Sequence, residues 1–538
     1  MKARFVLLFL FSLSGVESAH SKVPVGGTFV INIGAEPTTL HPIRATDGYS
    51  SQVHAYTLEG LLDRNPDTYE WEPALADKWE ISKDGKAFTF HLRKGALFHN
   101  GKPVTVEDIK FSFDAIFDPK MNAAVQIPYY QGIKEVKIID SETVQFIAKE
   151  KYFKNFDVAA GLTIIPKHIY GGENGAKINH KLIGSGPYVL SKYEKGKRII
   201  LKRNQDWWGF KEKTGRTVGM YNFDRMVLRF VSESSVSFEM LKKGDLDFMG
   251  FTPEDYTQKA VGSEWGKKVF KVKTHNKAPK SYGFIAFNLR RPLFQDQKVR
   301  VALSMLINRR LMIEKFLFGM SEPATGPWHR ESEYTPSDVK PIEFDPKEAL
   351  RLLREDGWSD SDRDGVLDKV ISGSRMPLRF TLLNPSKDFE KYLTVFKEDA
   401  KKAGVDIILK YVEWNTFVKV RNEGNFDTAA MAWGGGSVDL DPKQIWHSES
   451  ASKGGSNFID YKNPEVDQLI DEARGTLEKS KRTPLLKKVF RIIAADAPYI
   501  FLFNSKAILY GHTKKIEKKI PTRTYSIGQE YWWDASLK

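Results

Sequence analysis

The sequence predicts an α/β fold spread over more than one lobe, and three observations carry that prediction. Leu378 to Leu383 reads as a strand, Asp388 to Lys402 as a helix closed by Gly404, and Val405 to Val412 as a second strand, which together make a βαβ crossover. Such a unit implies parallel strands in a sheet covered by helices, and Phe426 to Trp433 is placed to add a further strand. A chain of 538 residues, 41% hydrophobic and 12% aromatic, is long enough to divide its core between two or three lobes. No fixed-period repeat or low-complexity linker separates those lobes, so they are expected to be interwoven.

The other elements follow in order along the chain. Thr28 to Ile33 is a β-rich run that stops at Gly34 and delivers the polar loop Glu36-Pro37-Thr38-Thr39-Leu40-His41-Pro42. Phe88 to Leu92 alternates with period two, and the turn Asn100-Gly101-Lys102-Pro103 leads to a helix opened by Thr105, with Asp108 completing a capping pair. Asp345-Pro346 opens a helix that Gly357 closes, Asn463-Pro464 opens another, and Thr483-Pro484 is expected to start a third.

The first residues read as an export leader. Lys2 and Arg4 precede an apolar stretch from Phe5 to Val16 and then small residues, with cleavage expected after Ser18 or Ser21. The stretch is too short to span a membrane. The chain has no cysteine, which excludes disulfides, thiolate metal sites, a thiol nucleophile and a lipid-modified cysteine at the cleavage point. A freely diffusing periplasmic protein, expected to be a monomer, fits these facts. The net charge is +14. The basic residues are scattered, with clusters only at Lys195 to Arg203 and Lys514 to Lys519, so nucleic acid is not an expected partner.

Signatures of catalysis are missing: there is no G-x-S-x-G elbow, no H-E-x-x-H helix and no phosphate-binding loop. Asp360-Ser361-Asp362-Arg363-Asp364-Gly365-Val366-Leu367-Asp368 resembles half of a calcium loop, with oxygens at positions one, three, five and nine. Its twelfth position is Ile371 rather than a bidentate Glu, so no cofactor is required and calcium at Asp360, Asp362, Asp364 and Asp368 competes with a simple Asp- and Gly-rich turn. The strongest ligand candidate is Trp433-Gly434-Gly435-Gly436-Ser437-Val438-Asp439-Leu440-Asp441, which offers a flat aromatic, bare amides and two carboxylates able to clamp an amine. Trp328 and Arg330, after Gly326-Pro327, form a second candidate, because Trp stacks and Arg reads carboxylate or phosphate.

Long stretches then carry a family resemblance. Glu72-Pro73-Ala74-Leu75-Ala76 with Trp79, Ser82-Lys83-Asp84-Gly85-Lys86, Phe98-His99-Asn100-Gly101-Lys102-Pro103-Val104-Thr105, Gly184-Ser185-Gly186-Pro187-Tyr188, Trp207-Trp208-Gly209, and Phe287-Asn288 with Asn308-Arg309 are similar to family 5 of the extracellular solute-binding proteins. This is the peptide, opine and nickel class of ABC-transporter receptors. Trp446-His447-Ser448 through Asn463-Pro464-Glu465-Val466-Asp467 resembles the subgroup tied to microcin C and longer peptides.

The resemblance implies a type II periplasmic-binding-protein fold of two lobes, with an extra domain inserted in the first. Its expected boundaries are a leader over 1–21, lobe I segments over 22–60, 184–281 and 498–538, an insert over 61–183 and lobe II over 282–497. It implies capture of an oligopeptide or peptide-like solute by lobe closure and delivery to an inner-membrane ABC permease. Thr38, Thr39 and Asn288 join the loop residues as expected ligand contacts. Relatives hold the peptide amine with an Asp three residues after the loop Trp, where this chain has Gly436, and the Arg that some carry ahead of that Trp is Ala430 here. Either Asp439 or Asp441 reaches the amine from a longer loop, or the ligand presents none there. A metal-chelate or haem receptor, and more remotely a secreted hydrolase or chaperone, are the alternatives.

Overall fold

The first lobe is organised around a mixed seven-stranded sheet that gathers residues far apart in sequence, as a computed structural model describing residues 23–537 shows. The leader expected over 1–21 and its cleavage points lie outside the described residues. The central strand Thr28–Asn32 runs parallel to Arg225–Arg229 and touches Phe248–Gly250 on its other side. Alternate residues Phe29 and Ile31 point into the core, the period-two pattern of a half-buried strand. Arg198–Arg203 and Tyr188–Glu194 extend one edge, while Ile508–Thr513 and Val269–Thr274 extend the other.

The second lobe holds a five-stranded sheet in the order Asp406–Tyr411, Arg379–Asn384, Thr428–Trp433, Tyr282–Phe287, Tyr499–Phe501. The βαβ unit is present: Arg379–Asn384 and Asp406–Tyr411 pair in parallel, joined by the helix Glu390–Lys402. Thr428–Trp433 lies parallel to Arg379–Asn384, so both strands point their carboxyl ends the same way, where open α/β sheets place ligands. Asp345 and Asn463 cap their helices by accepting backbone N–H bonds, and proline occupies the first turn of each.

Two expectations are corrected. The helix expected to begin at Thr483-Pro484 starts one turn earlier, spanning Lys479–Asp496, and Pro484 sits inside it. Its missing N–H falls near the helix start, where few intrahelical bonds are lost. The return to lobe I, expected at 498, comes after Ser505. Tyr499–Phe501 pairs antiparallel with Tyr282–Phe287, and Phe503–Ser505 pairs with Ser321–Pro323, which keeps both strands in lobe II.

Between the lobes the chain crosses at residues 275–281, leading from Val269–Thr274 into Tyr282–Phe287, and again at residues 506–507, leading into Ile508–Thr513. A pair of short crossings without a helix of their own forms a hinge. The third unit is a four-stranded antiparallel sheet, Ala76–Ile81, Ala87–Leu92, Thr143–Ala148 and Ile133–Ile138 in spatial order 1-2-4-3 along the chain, with the helix Val106–Asp114 packed on it. The capping box of that helix is formed, Thr105 and Asp108 exchanging hydrogen bonds.

This unit joins lobe I where two chain segments touch, the end of the helix Gly48–Thr57 and the loop before Tyr188–Glu194. Gly186 N–H donates to Thr57 O at 3.1 Å. A Cβ on Gly184 would lie 2.0 Å from the same carbonyl, so only glycine allows the approach. Beside the junction, Glu59 is half-buried with its carboxylate turned inward, and it accepts bonds from the indole N–H groups of Trp207 and Trp208, both at 2.9 Å. Burial pushes its carboxyl up to about 7 from 4.5. A carboxyl whose folded pKa is raised stabilises the fold least where it must ionise. Its contribution is intact below about pH 4.5, lost progressively up to about 7 and constant above. Glu59→Gln is therefore expected to remove that decline, so that its melting temperature gains on the wild type between pH 5 and pH 8. Parallel melting curves over this range would refute it.

Candidate ligand-binding site

The loop that leaves Thr428–Trp433 opens into a cavity of about 480 Å³ between the lobes. Its walls come from every part of the chain: Thr46 from the first segment, Tyr129 and Lys154 from the insert, the hinge residues 275–280, Trp328, His329 and Glu331 to Glu333, residues 433–438 and 440–442, and Tyr525 near the end. The volume falls in the range of small-molecule and peptide sites.

The floor is aromatic. Trp433 is half-buried, stacked on Phe284 with centroids 6.0 Å apart, and Phe284 in turn stacks on Tyr499 at 4.1 Å. Trp433 Nε1 donates toward the Tyr499 hydroxyl at 3.4 Å, which helps to fix the ring at the cavity. Trp328 is buried against Phe490, and its Nε1 has no hydrogen-bond partner among the described residues. The Tyr282 hydroxyl on the same cavity is likewise without one. Buried donors left unmade cost free energy, so these two are points where a bound molecule or water is favoured.

Glycines 434 to 436 line the cavity, but one of them has a second task. Tyr282 pairs with Trp433, and this antiparallel contact continues into the hinge, where a Cβ on Gly435 would lie 2.0 Å from Pro279 O. Gly435 thus lets the ligand loop lie directly on the hinge backbone.

The two carboxylates of the loop have different surroundings. Asp441 is buried with Arg474 as its ion-pair partner, accepts the Tyr152 hydroxyl at 2.5 Å, and caps Lys443 N–H at 3.0 Å. Asp439 is half-exposed, accepts the Tyr334 hydroxyl at 2.8 Å, and lies 3.6 Å from Lys479 and 3.7 Å from Arg482. Asp441 touches the cavity and Asp439 stands behind it.

Tyr152 belongs to the insert and Asp441 to lobe II, so their bond is part of a clasp that joins the two. Arg474 also donates to Pro128 O at 2.8 Å and stacks 4.0 Å over the Tyr152 ring, while Arg482 lies 3.9 Å over Phe153. Tyr129 donates to Gln444 at 2.5 Å, and Lys154 Nζ donates to Asp439 O at 2.8 Å. Exposed ion pairs supplement it elsewhere, among them Lys387 with Glu233 at 2.9 Å.

The remaining candidates fall outside the cavity. Thr38 is bonded to Asp47, and Thr39 Oγ1 accepts His41 N–H at 3.0 Å, so the loop folds on itself and Thr46 reaches the cavity instead. Asn288 is fully buried and donates to Gly424 O and Phe426 O, a structural role. Arg330 faces away and pairs with Glu322 at 3.0 Å. Asp360, Asp362 and Asp364 bring one oxygen each within 4.8 Å of one another, all exposed. Asp368 is drawn instead to Arg375 at 2.7 Å, which together with bonds from Ser361 holds its carboxyl well below the usual range. Arg375 also reaches Asp362 at 2.6 Å.

Two α/β lobes on a two-strand hinge, closed over an aromatic cavity, define a solute-capturing receptor. The chain belongs to the bacterial extracellular solute-binding proteins, family 5, whose pattern it matches over residues 70–455. It is similar to the oligopeptide-binding protein AppA of Bacillus subtilis, 28% identical over 545 residues and covering 98% of this chain and 96% of that one. It also resembles the heme-binding protein A of Haemophilus influenzae, 26% identical with 90% and 88% covered. The solved structure of the Bacillus subtilis AppA in complex with a nonapeptide superposes with a TM-score of 0.84 at 27% identity, over 96% of this chain and all of that one. No helix among the described residues is long and apolar enough to cross a membrane.

Proposed function

We propose that this protein is the periplasmic receptor of an ABC importer, which captures oligopeptides or peptide-like solutes by closure of its lobes and delivers them to an inner-membrane permease. The observation that carries this reading is the cavity itself: it is walled by the hinge, the insert and both lobes, so a molecule inside it is held only while the clasp is shut. The peptide complex of the Bacillus subtilis relative supports a peptide-like ligand. The leader-like first residues and the lack of cysteine support an exported protein without a lipid anchor. It makes and breaks no bond.

A haem or metal-chelate ligand is the second reading, favoured by the heme-binding relative. The cavity histidines speak against it. His329 has both ring nitrogens engaged, with Ser505 O at 3.3 Å and Glu331 N–H at 3.1 Å, and His275 lies 3.5 Å from Glu331.

The test is the melting temperature of the purified protein against a short-peptide mixture, haemin and nickel–histidine. A saturable rise with peptides alone is expected, because only a ligand of the native state stabilises in this way. Steady consumption of the peptides, or a rise with haemin or nickel–histidine alone, would overturn the reading. Trp433→Ala is expected to weaken peptide affinity by about 2 kcal/mol, the scale of an aromatic anchor, with the fold intact. Unchanged affinity in a folded variant removes Trp433 from the site.

No cofactor is needed in this account. Arg375 supplies positive charge to the Asp-rich turn, so we expect equal melting temperatures in calcium and in chelator. A reproducible rise in calcium would place the ion at Asp360, Asp362 and Asp364.

A further inference from the structure

The three carboxylates on the cavity wall each have a cationic partner within this chain. Glu331 pairs with Lys280 and His275, Glu333 lies 2.6 Å from Lys479, and Asp441 pairs with Arg474. An incoming ammonium would have to compete with these cations, and for Asp441 it would have to disrupt a desolvated pair. The wall offers no carboxylate waiting for a charge.

Lys154 is the reverse case. It comes from the insert, lines the cavity and is only 7% exposed. Among the described residues its one hydrogen bond is to a backbone carbonyl, that of Asp439, and no carboxylate oxygen lies within 4.0 Å of it. An ammonium has three N–H donors, so two remain for a guest. Burial pulls its pKa down, opposed by the fields of Asp157, Asp441 and Asp439. A buried cation without an anionic contact is costly, and a negative group arriving in the cavity removes that cost through a charge-assisted bond.

We propose that the cavity selects its ligand through an anionic oxygen group, a carboxylate or phosphate, seated on Lys154, and that it does not require a free α-amine. The inference rests on the peptide reading given above. Within that reading the anion comes from the peptide's C-terminus or from an acidic side chain.

Retention of short-peptide libraries by the purified protein, read by mass spectrometry, tests it. One library has free ends, a second is N-acetylated, a third is C-amidated and free of Asp and Glu, and a fourth is C-amidated but contains them. The N-acetylated library is expected to be retained like the free one, and the acid-free amidated library at least about tenfold less. Lys154→Met should abolish this difference and Lys154→Arg should keep it. Retention of the fourth library assigns the anion to a side chain, and its loss assigns the anion to the C-terminus. Equal retention of the acid-free amidated library, or loss on N-acetylation, overturns the inference and leaves the peptide reading standing. Retention of no library overturns both. If Lys154→Met does not fold, the four wild-type measurements decide alone.

Discussion

Gly435→Ala is expected to abolish tight ligand capture while leaving both lobes folded. The antiparallel pairing of Tyr282 with Trp433 carries the ligand loop onto the hinge, and the added Cβ would stand 2.0 Å from Pro279 O and 2.7 Å from Lys280 N. Both neighbours are backbone, so no flexible side chain can move aside. Either the loop or the hinge must shift by about 1 Å, a displacement large against the tolerance of a binding site. The loop that moves carries Trp433, and the hinge that moves sets how the lobes meet. The change lies outside the main hydrophobic clusters, so the unfolding cost should stay within the roughly 1–3 kcal/mol of a local overpacking. The measurement is peptide affinity by calorimetry beside thermal unfolding. The neighbouring Gly434→Ala is the control, because its Cβ meets nothing within 4 Å. Equal affinities in the two variants would sink the prediction.

Asp441→Ala should be the most destabilising single change in the site. It strands Arg474, whose side chain is 9% exposed beside a carboxylate that is 1% exposed. Breaking a buried pair from one side costs about 3–5 kcal/mol, because the surviving charge stays desolvated. The same change removes the acceptor of the Tyr152 hydroxyl and the cap of Lys443, so the clasp between insert and lobe II loosens as well. Asp439→Ala, two residues away, removes a half-exposed carboxylate and should cost about 1 kcal/mol or less. Chemical denaturation of the two variants separates these roles, and similar losses would show that Asp441 is not the keystone of the clasp. The double variant Asp441→Ala with Arg474→Met is expected to recover part of the loss, since the orphaned charge is then gone.

The contrast between these aspartates shows where the sequence could be read and where it could not. Strands and helices followed from local rules: the alternation at Phe88 to Leu92, the capping box at Thr105, and the proline after Asn463 all act within a few residues. The start of Lys479–Asp496 is not legible in the sequence because Pro484 is tolerated near a helix start, where its ring and absent N–H cost little. The strands at 499–505 are not legible locally because their partners, Tyr282–Phe287 and Ser321–Pro323, lie far back in the chain, and the short run Tyr499–Phe501 does not announce its sheet.

At the cavity, the loop after Trp433 was legible as a place of bare amides and an aromatic ring. Its charges were not. Asp439 and Asp441 look alike in sequence, and only the packing of Tyr152 and Arg474 over one of them sets their difference. Lys154 follows Lys149 and Lys151 closely, and nothing local marks it as the buried one. Asn288 was singled out by resemblance, but its amide is consumed by the carbonyls of Gly424 and Phe426.

The touching segments at Thr57 and Gly186 have an architectural consequence. Chain leaves and re-enters lobe I through a single gate, whose two sides are hydrogen-bonded to each other. A detour that begins and ends at one spot adds little closure entropy and can be exchanged as a cassette. Tyr129, Tyr152 and Lys154 all travel within that cassette. Swapping it between related receptors offers a direct way to move ligand preference while the parent scaffold and its docking to the permease stay as they were.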